Sequence, residues 1–189
     1  MKIPIEVSAR HIHLSQSDLE KLFGLNYKLK KIKNLSQPGE FACEEKVLLR
    51  NGINEITARV IGPTRNTTQI EISEKDADKL KMNPPRRMSG DLKGSLGVKI
   101  IGPKGEFSLK KGLILSQRHI HLDKDSAKEL NLKDGQKYDV QVLDAQKYIF
   151  NDILVRVSDK YIPALHIDAG EAETAGIKKG EKAEGIILQ

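Results

Sequence analysis

Arg10-His11-Ile12-His13-Leu14 returns as Arg118-His119-Ile120-His121-Leu122, and this repeated pentapeptide decides how the chain reads. Its flanks repeat more loosely, with Val7-Ser8-Ala9 before the first copy and Leu115-Ser116-Gln117 before the second. A weaker echo follows each copy. Ala58-Arg59-Val60 precedes Ile70-Glu71-Ile72-Ser73 much as Val155-Arg156-Val157 precedes Leu165-His166-Ile167-Asp168. The chain therefore reads as two halves related by an internal pseudo-repeat.

Between these anchors the pattern is short and alternating, as in Lys46-Val47-Leu48-Leu49-Arg50 and Tyr138-Asp139-Val140-Gln141-Val142-Leu143. Glycine-bearing turns stand at Asn51-Gly52, Lys104-Gly105 and Asp134-Gly135, and period-two alternation bounded by such turns reads as strand. The spacing is too short for helical crossovers throughout, so the expected class is mainly β, as small barrels or sandwiches rather than a doubly wound sheet.

Four brief helices are expected, over 16–22, 74–80, 124–130 and 170–175, capped by Ser15, Ser73, Asp123 and Asp168, whose side-chain oxygens can accept from free first-turn N–H groups. Ser15 with Asp18, Ser73 with Asp76 and Asp168 with Glu171 have the spacing of a capping box or a close relative. Two residues before each cap stands His13, Glu71, His121 or His166. The same strand-to-helix corner thus occurs four times with a metal-capable side chain at the same place.

Composition narrows the function. With 38% hydrophobic and 31% charged residues among 189, the chain should fold as one domain or two small ones. No stretch approaches the roughly 18 apolar residues of a membrane span, and the N-terminus lacks a signal-peptide core, which predicts a cytoplasmic address. The single cysteine, Cys43, agrees with a reducing compartment. The net charge of +6 is dispersed, and aromatic residues make up only 4%. That argues against a nucleic-acid interface and suits a small anionic substrate.

In a strand, residues two apart share a face, so His11 with His13 and His119 with His121 each present two imidazoles side by side. Neutral imidazole and carboxylate suit zinc. The five histidines and Glu71 make six ligands, enough for two zinc ions with three protein ligands each and open positions left over. Whether each pair takes its third ligand from its own half or the other is open on the residues, with sharing across the halves the favoured arrangement.

The helix N-termini at the corners would favour anions beside the metals, and Arg65, in the segment leading to Glu71, offers a guanidinium able to hold two phosphate oxygens. Cys43 sits among Glu44 and Glu45 with no neighbouring cation, so it reads as structural rather than nucleophilic. No nucleophile elbow or Walker loop occurs. Direct metal-assisted transfer is one reading; a two-zinc hydrolase of a thioester or phosphoester, or a non-catalytic protein with structural zinc, would use the same ligands.

The repeated Arg-His-Ile-His-Leu, Ile61-Gly62-Pro63-Thr64-Arg65 with Thr68-Gln69-Ile70-Glu71-Ile72-Ser73, Ser89-Gly90-Asp91, and Leu154-Val155-Arg156-Val157 with Leu165-His166-Ile167-Asp168 closely resemble the phosphate propanoyltransferase family of bacterial microcompartments, the PduL-type phosphotransacylases. The resemblance covers nearly the whole chain. It implies two small β-barrels capped by short α-helices with the active site between them, one from residues 1–34 plus 114–189 and the other from 35–113. It implies exchange of a short acyl group between coenzyme A and inorganic phosphate, a transferase activity.

Two zinc ions on positions matching His11, His13, Glu71, His119, His121 and His166 are implied too, with Arg65 on the phosphate and coenzyme A passing Val7, Ser8, Ala9 and Arg59. Expected partners are acyl-CoA or CoA and phosphate or acyl phosphate, with no nucleic acid and no membrane, and the expected assembly is a homo-oligomer, a dimer. Two loops depart from the family pattern: Gly94-Ser95-Leu96-Gly97 stands for Gly-Ser-Pro-Gly, and Asp168-Ala169-Gly170-Glu171 carries no Thr-Asp-Glu. Encapsulated members commonly carry an N-terminal extension, whereas strand sequence begins here almost at Met1. A free cytoplasmic enzyme acting on acetyl-CoA is thus as much expected as a propanoyl-specific one in a microcompartment lumen.

Overall fold

Ile12 and Leu14 are fully buried whereas His11, one residue away, points from the opposite face of the same strand. Burying each of these aliphatic side chains contributes about 1.5–3 kcal/mol. A one-residue slip would expose both and drive the imidazoles into the core, so the apolar members of the motif set the register that presents the histidines. The second copy behaves alike, with Ile120 and Leu122 fully buried.

A computed structural model describes residues 2–143, 148–178 and 180–188. In chain order its first strands are β1 (Lys2–Ser8), β2 (His11–His13), β3 (Lys31–Asn34), β4 (Phe41–Asn51), β5 (Asn54–Gly62), β6 (Gln69–Ile72) and β7 (Arg86–Arg87). Then come β8 (Leu96–Ile101), β9 (Glu106–Ser116), β10 (His119–Leu122), β11 (Lys137–Val142), β12 (Ile149–Val157), β13 (Ala164–Asp168) and β14 (Ala183–Leu188). The helices are α1 (Gln16–Phe23), α2 (Glu74–Leu80), α3 (Lys124–Glu129) and α4 (Ala169–Thr174). None is long and apolar enough to cross a membrane.

The mainly β class holds, with two closed barrels. One runs β1-β13-β10-β12-β11-β14. The other runs β4-β5-β2-β6-β9 and is closed by β8, which pairs with both β9 and β4; β3 and β7 extend it. Each barrel has its own core, around Ile12, Val60 and Ile70 in one and Ile120, Val155 and Leu165 in the other.

Neighbour relations match strand for strand. Each His-x-His strand lies parallel to one partner (β2 on β5, β10 on β12) and antiparallel to another (β2 on β6, β10 on β13). The strand just before each motif joins the barrel of the other motif: β1 pairs with β13, and β9 with β6.

The division of the chain differs from that expected. The two compact units are Met1–Ser8 with Arg118–Gln189, and Ala9–Gln117, so the first crossing falls after Ser8 rather than after residue 34. The reason is that β2 takes both its partners from the middle of the chain, and α1 buries Leu19, Leu22 and Phe23 in that same core. The second crossing moves from 113 to 117 because β9 runs on to pair Leu115 with Ile72. The echo around Arg59 is also shifted by two: His11 faces Arg59 where His119 faces Leu154, so Val60 matches Val155. A shift of two preserves the face, which is why the pattern looked alike.

All four caps are as expected. Ser15, Ser73 and Asp123 accept from Asp18 N, Asp76 N and Ser126 N, and Asp168 accepts from Gly170 N and Glu171 N. Only Asp168 and Glu171 form the reciprocal capping box. Asp18 instead accepts from Thr68 Oγ1 and Lys21 Nζ.

Candidate metal centre

On β2, alternation aims His11 and His13 to one side, and the antiparallel register sets Glu71 of β6 opposite His11. One donor atom from each of the three lies within 4.8 Å of the others. His11 Nδ1 stands 2.9 Å from the Ala9 carbonyl, which can only accept, so Nδ1 carries the hydrogen and Nε2 is left facing Glu71 Oε1 at 3.7 Å. Burial pulls the His11 pKa down, but the Glu71 carboxylate outweighs it and the net shift is upward. His13 is pushed down to about 3 by burial and then by His11 and Arg65. Burial would raise Glu71, yet His11 beside it holds the carboxyl well below the usual range.

The C-terminal unit builds the same corner from imidazoles alone. His119 and His121 come from β10 and His166 from β13, where it pairs with His119. Their donor atoms also lie within 4.8 Å of one another. Ring centroids are separated by 4.5 Å (His119–His121), 4.7 Å (His121–His166) and 5.1 Å (His119–His166). The His121 pKa is lowered to about 2 by burial and by its two histidine neighbours and Arg156. Tyr161 stacks on the His121 ring at 3.8 Å and 11°, and Arg156 lies over Tyr161.

Both groups fit zinc. His13 Nδ1 and both ring nitrogens of His121 are buried without a hydrogen-bond partner, and leaving a buried polar atom unsatisfied costs about 1–3 kcal/mol. A metal bond removes that cost for one nitrogen of each ring. Two imidazoles with a carboxylate, and three imidazoles, are both donor sets that catalytic zinc uses with a position to spare. Each triad closes within its own unit, not across the halves as the sequence favoured, because β6 and β13 are direct neighbours of β2 and β10 in the same barrel.

Arg65 is brought to the corner after β2 by its backbone, whose N–H donates to Leu14 O at 2.9 Å. Its guanidinium donates to Ser89 Oγ at 3.3 Å and to Glu40 Oε1 at 2.8 Å. Gln69 joins this group to the triad: its amide nitrogen donates to Glu71 Oε1 at 2.7 Å and to Ser89 Oγ at 2.9 Å, while its oxygen accepts from Gly90 N at 2.8 Å. Gln69 and Glu40 escaped the sequence reading. Gln69 could have been found, since it stands two residues before Glu71 and shares its face; Glu40 had no signal. The helix N-termini are less available to anions than expected, because each cap accepts a first-turn N–H and each first turn already holds an acid, Asp18, Asp76, Asp125 and Glu171 among them.

Val7 and Ser8 end β1 beside Ile167 and Asp168, with Val7 43% exposed. Ala9 supplies the carbonyl that orients His11. Arg59 lies across from His11 and donates to Cys43 O at 2.6 Å. Cys43 itself is fully buried, and burial together with Glu45 pushes its pKa up to about 11, which suits a structural thiol.

Two barrels of matching strand relations, each gathering three imidazole or carboxylate donors within 4.8 Å of one another at a strand-to-helix corner, define an internally duplicated protein with two candidate metal centres. A family model described as phosphate propanoyltransferase matches residues 4–178. The chain is 42% identical to the phosphate propanoyltransferase of Clostridioides difficile over 97% of its own length and 88% of that protein's. It is also 42% identical to the phosphate propanoyltransferase of Thermotoga maritima, over 95% and 86% of the two chains. The chain belongs to the phosphate propanoyltransferase family.

Proposed function

We propose that this protein is a phosphate acyltransferase that exchanges an acetyl or propanoyl group between coenzyme A and inorganic phosphate, with a zinc ion on each triad. Acyl-CoA and phosphate give acyl phosphate and CoA: a phosphate oxygen bonds to the thioester carbonyl carbon, the carbon–sulfur bond breaks, and the electron pair leaves with sulfur. The observation that carries this reading is the joining of Arg65 to the His11–His13–Glu71 triad through Ser89 and Gln69, in a member of this family.

Zinc on such ligands supplies Lewis acidity to a carbonyl or phosphoryl oxygen. The chain's own residues do the positioning. Arg65 exchanges Glu40 for two phosphate oxygens in a planar, bidentate pair, and Ser89 beside it has a hydroxyl that can donate to a third. Gln69 keeps the Glu71 carboxylate turned towards the two imidazoles. Coenzyme A runs past Val7, Ser8, Ala9 and Arg59. No acyl-enzyme is needed, and the protonated, buried Cys43 is not a candidate nucleophile.

The test is to incubate the zinc-loaded protein with acetyl-CoA or propanoyl-CoA, with and without phosphate. Thiol release that depends on phosphate, with acyl phosphate trapped as a hydroxamate, is expected. Release without phosphate, giving free acid, would make it a hydrolase. Saturated metal with no release would leave structural zinc.

A further inference from the structure

The arginine that opens each repeated motif has no part in the chemistry above, yet both copies are held alike. Arg10 Nε donates to the Thr57 carbonyl on β5 at 2.7 Å, and its Nη1 pairs with the Asp76 carboxylate on α2. Arg118 Nη2 donates to the Asn151 carbonyl on β12 at 3.0 Å, and its Nη1 meets Glu171 Oε1 on α4 at 3.2 Å. In both units the carbonyl belongs to the strand parallel to the His-x-His strand, and the acid to the first turn of the helix that follows the third ligand.

Each acid in turn grips a cap. Asp76 accepts from Ser73 Oγ at 3.0 Å, and Glu171 accepts from Asp168 N at 2.9 Å. Ser73 and Asp168 stand two residues after Glu71 and His166. The same linkage, arginine to acid to cap to third ligand, is therefore built twice from different residues. Near His11 it has a second effect. Arg10 lies between Ala9, whose carbonyl selects the hydrogen-bearing nitrogen of the ring, and His11 itself, so anchoring Arg10 holds that carbonyl in place.

An exposed ion pair contributes about 0–1 kcal/mol, which gives no reason for the same fork to recur at equivalent places. These forks are not ordinary surface pairs: the Asp76 and Glu171 side chains are 7% and 12% exposed. Partners outside the ligand set that fix ligand direction typically change metal affinity or activity about 10- to 100-fold.

We infer that Arg10 and Arg118 are positioning residues for the two metals, each tying the start of its His-x-His strand to the helix cap beyond the third ligand, so that three donor directions are set before a metal arrives. The inference rests on the two-zinc reading. Its test uses the full chain with zinc, following affinity by chelator competition and ligand geometry by the absorption spectrum of the cobalt form. Arg10→Gln should weaken one of two bound metals about 10- to 100-fold and alter half of the cobalt spectrum; Arg118→Gln should do the same to the other metal.

Asp76→Asn and Glu171→Gln, which keep the arginine, should reproduce these losses, and they decide the matter if an arginine variant does not fold. Variants that bind both metals as tightly as the parent, with an unchanged cobalt spectrum, overturn the inference and leave the two-zinc reading standing. A parent protein that binds no metal overturns both.

Discussion

The Arg65 guanidinium and the Glu40 carboxylate meet at 2.8 Å, with one-third of each side chain open to solvent. At that exposure the pair is worth about 0–1 kcal/mol, so a phosphate dianion can replace Glu40 at small cost. Glu40→Gln should therefore lower the phosphate KM by a factor of up to about five. Arg65→Ala should raise it and slow turnover by about two to three powers of ten, as for loss of a charge clamp. Initial rates against phosphate concentration read both, and unchanged kinetics in Arg65→Ala would remove Arg65 from the site.

Gln69 is 2% exposed and satisfied at both ends of its amide. Gln69→Leu removes the donor that orients Glu71 and should weaken zinc at that triad about 10- to 100-fold. The His119–His121–His166 triad should keep its zinc. Two-phase chelator competition separates the sites, and a single unshifted phase would contradict the role given to Gln69.

Acid should strip zinc from the His11–His13–Glu71 triad. In the metal-free protein Glu71 raises the His11 pKa, so this stabilisation is fully present below the ordinary value of 6.5 and is lost as pH rises through the raised one. Zinc needs His11 neutral, so binding at that triad releases a proton and weakens about tenfold per unit as pH falls below that raised value. Zinc affinities at that triad measured between pH 5.5 and 8 should show this loss; a flat profile would refute it.

Cys43→Ala should keep full transfer activity, and a disulfide reagent at pH 8 should leave the folded thiol unmodified. The pKa rises from 9.0 to about 11 on folding, so alkali ionises the thiol first in the unfolded chain, and stability falls as pH climbs across that interval. Inactivation stoichiometric with Cys43 modification would reverse this assignment.

Asp168→Ala deletes a cap that serves two N–H groups and one side of a capping box. It should cost about 1–2 kcal/mol in urea unfolding. Because Asp168 stands two residues beyond His166, the same change should weaken zinc at its triad, a joint effect that a purely structural cap would not show.

Much of the site was legible because its signals are local. His11 and His13 share a face through the strand period, and the four caps name themselves by residue type two positions after each third or second ligand. What was not legible depends on strand partners. Alternation says which face Arg59 occupies but not that it lies across from His11, so the echo was misaligned by two. Nor does any local pattern say that β2 closes onto the middle of the chain while β1 does not, and that misplaced both the first boundary and the sharing of ligands. Glu40 reaches Arg65 from a loop with no periodicity to read.

The exchange of strands described above sets an order of events during synthesis. Ile5 can find Leu165 only after nearly the whole polypeptide has left the ribosome, whereas Ala9–Gln117 carries every strand of its own barrel. The internal unit can close first, with the leading residues waiting as an unpaired strand until the last third of the chain arrives. Deleting residues 1–8 should therefore open the late barrel and spare the early one. A fragment ending before β9 leaves the early barrel short of one wall, and one beginning at Arg118 lacks β1, the strand that joins β13 to β14.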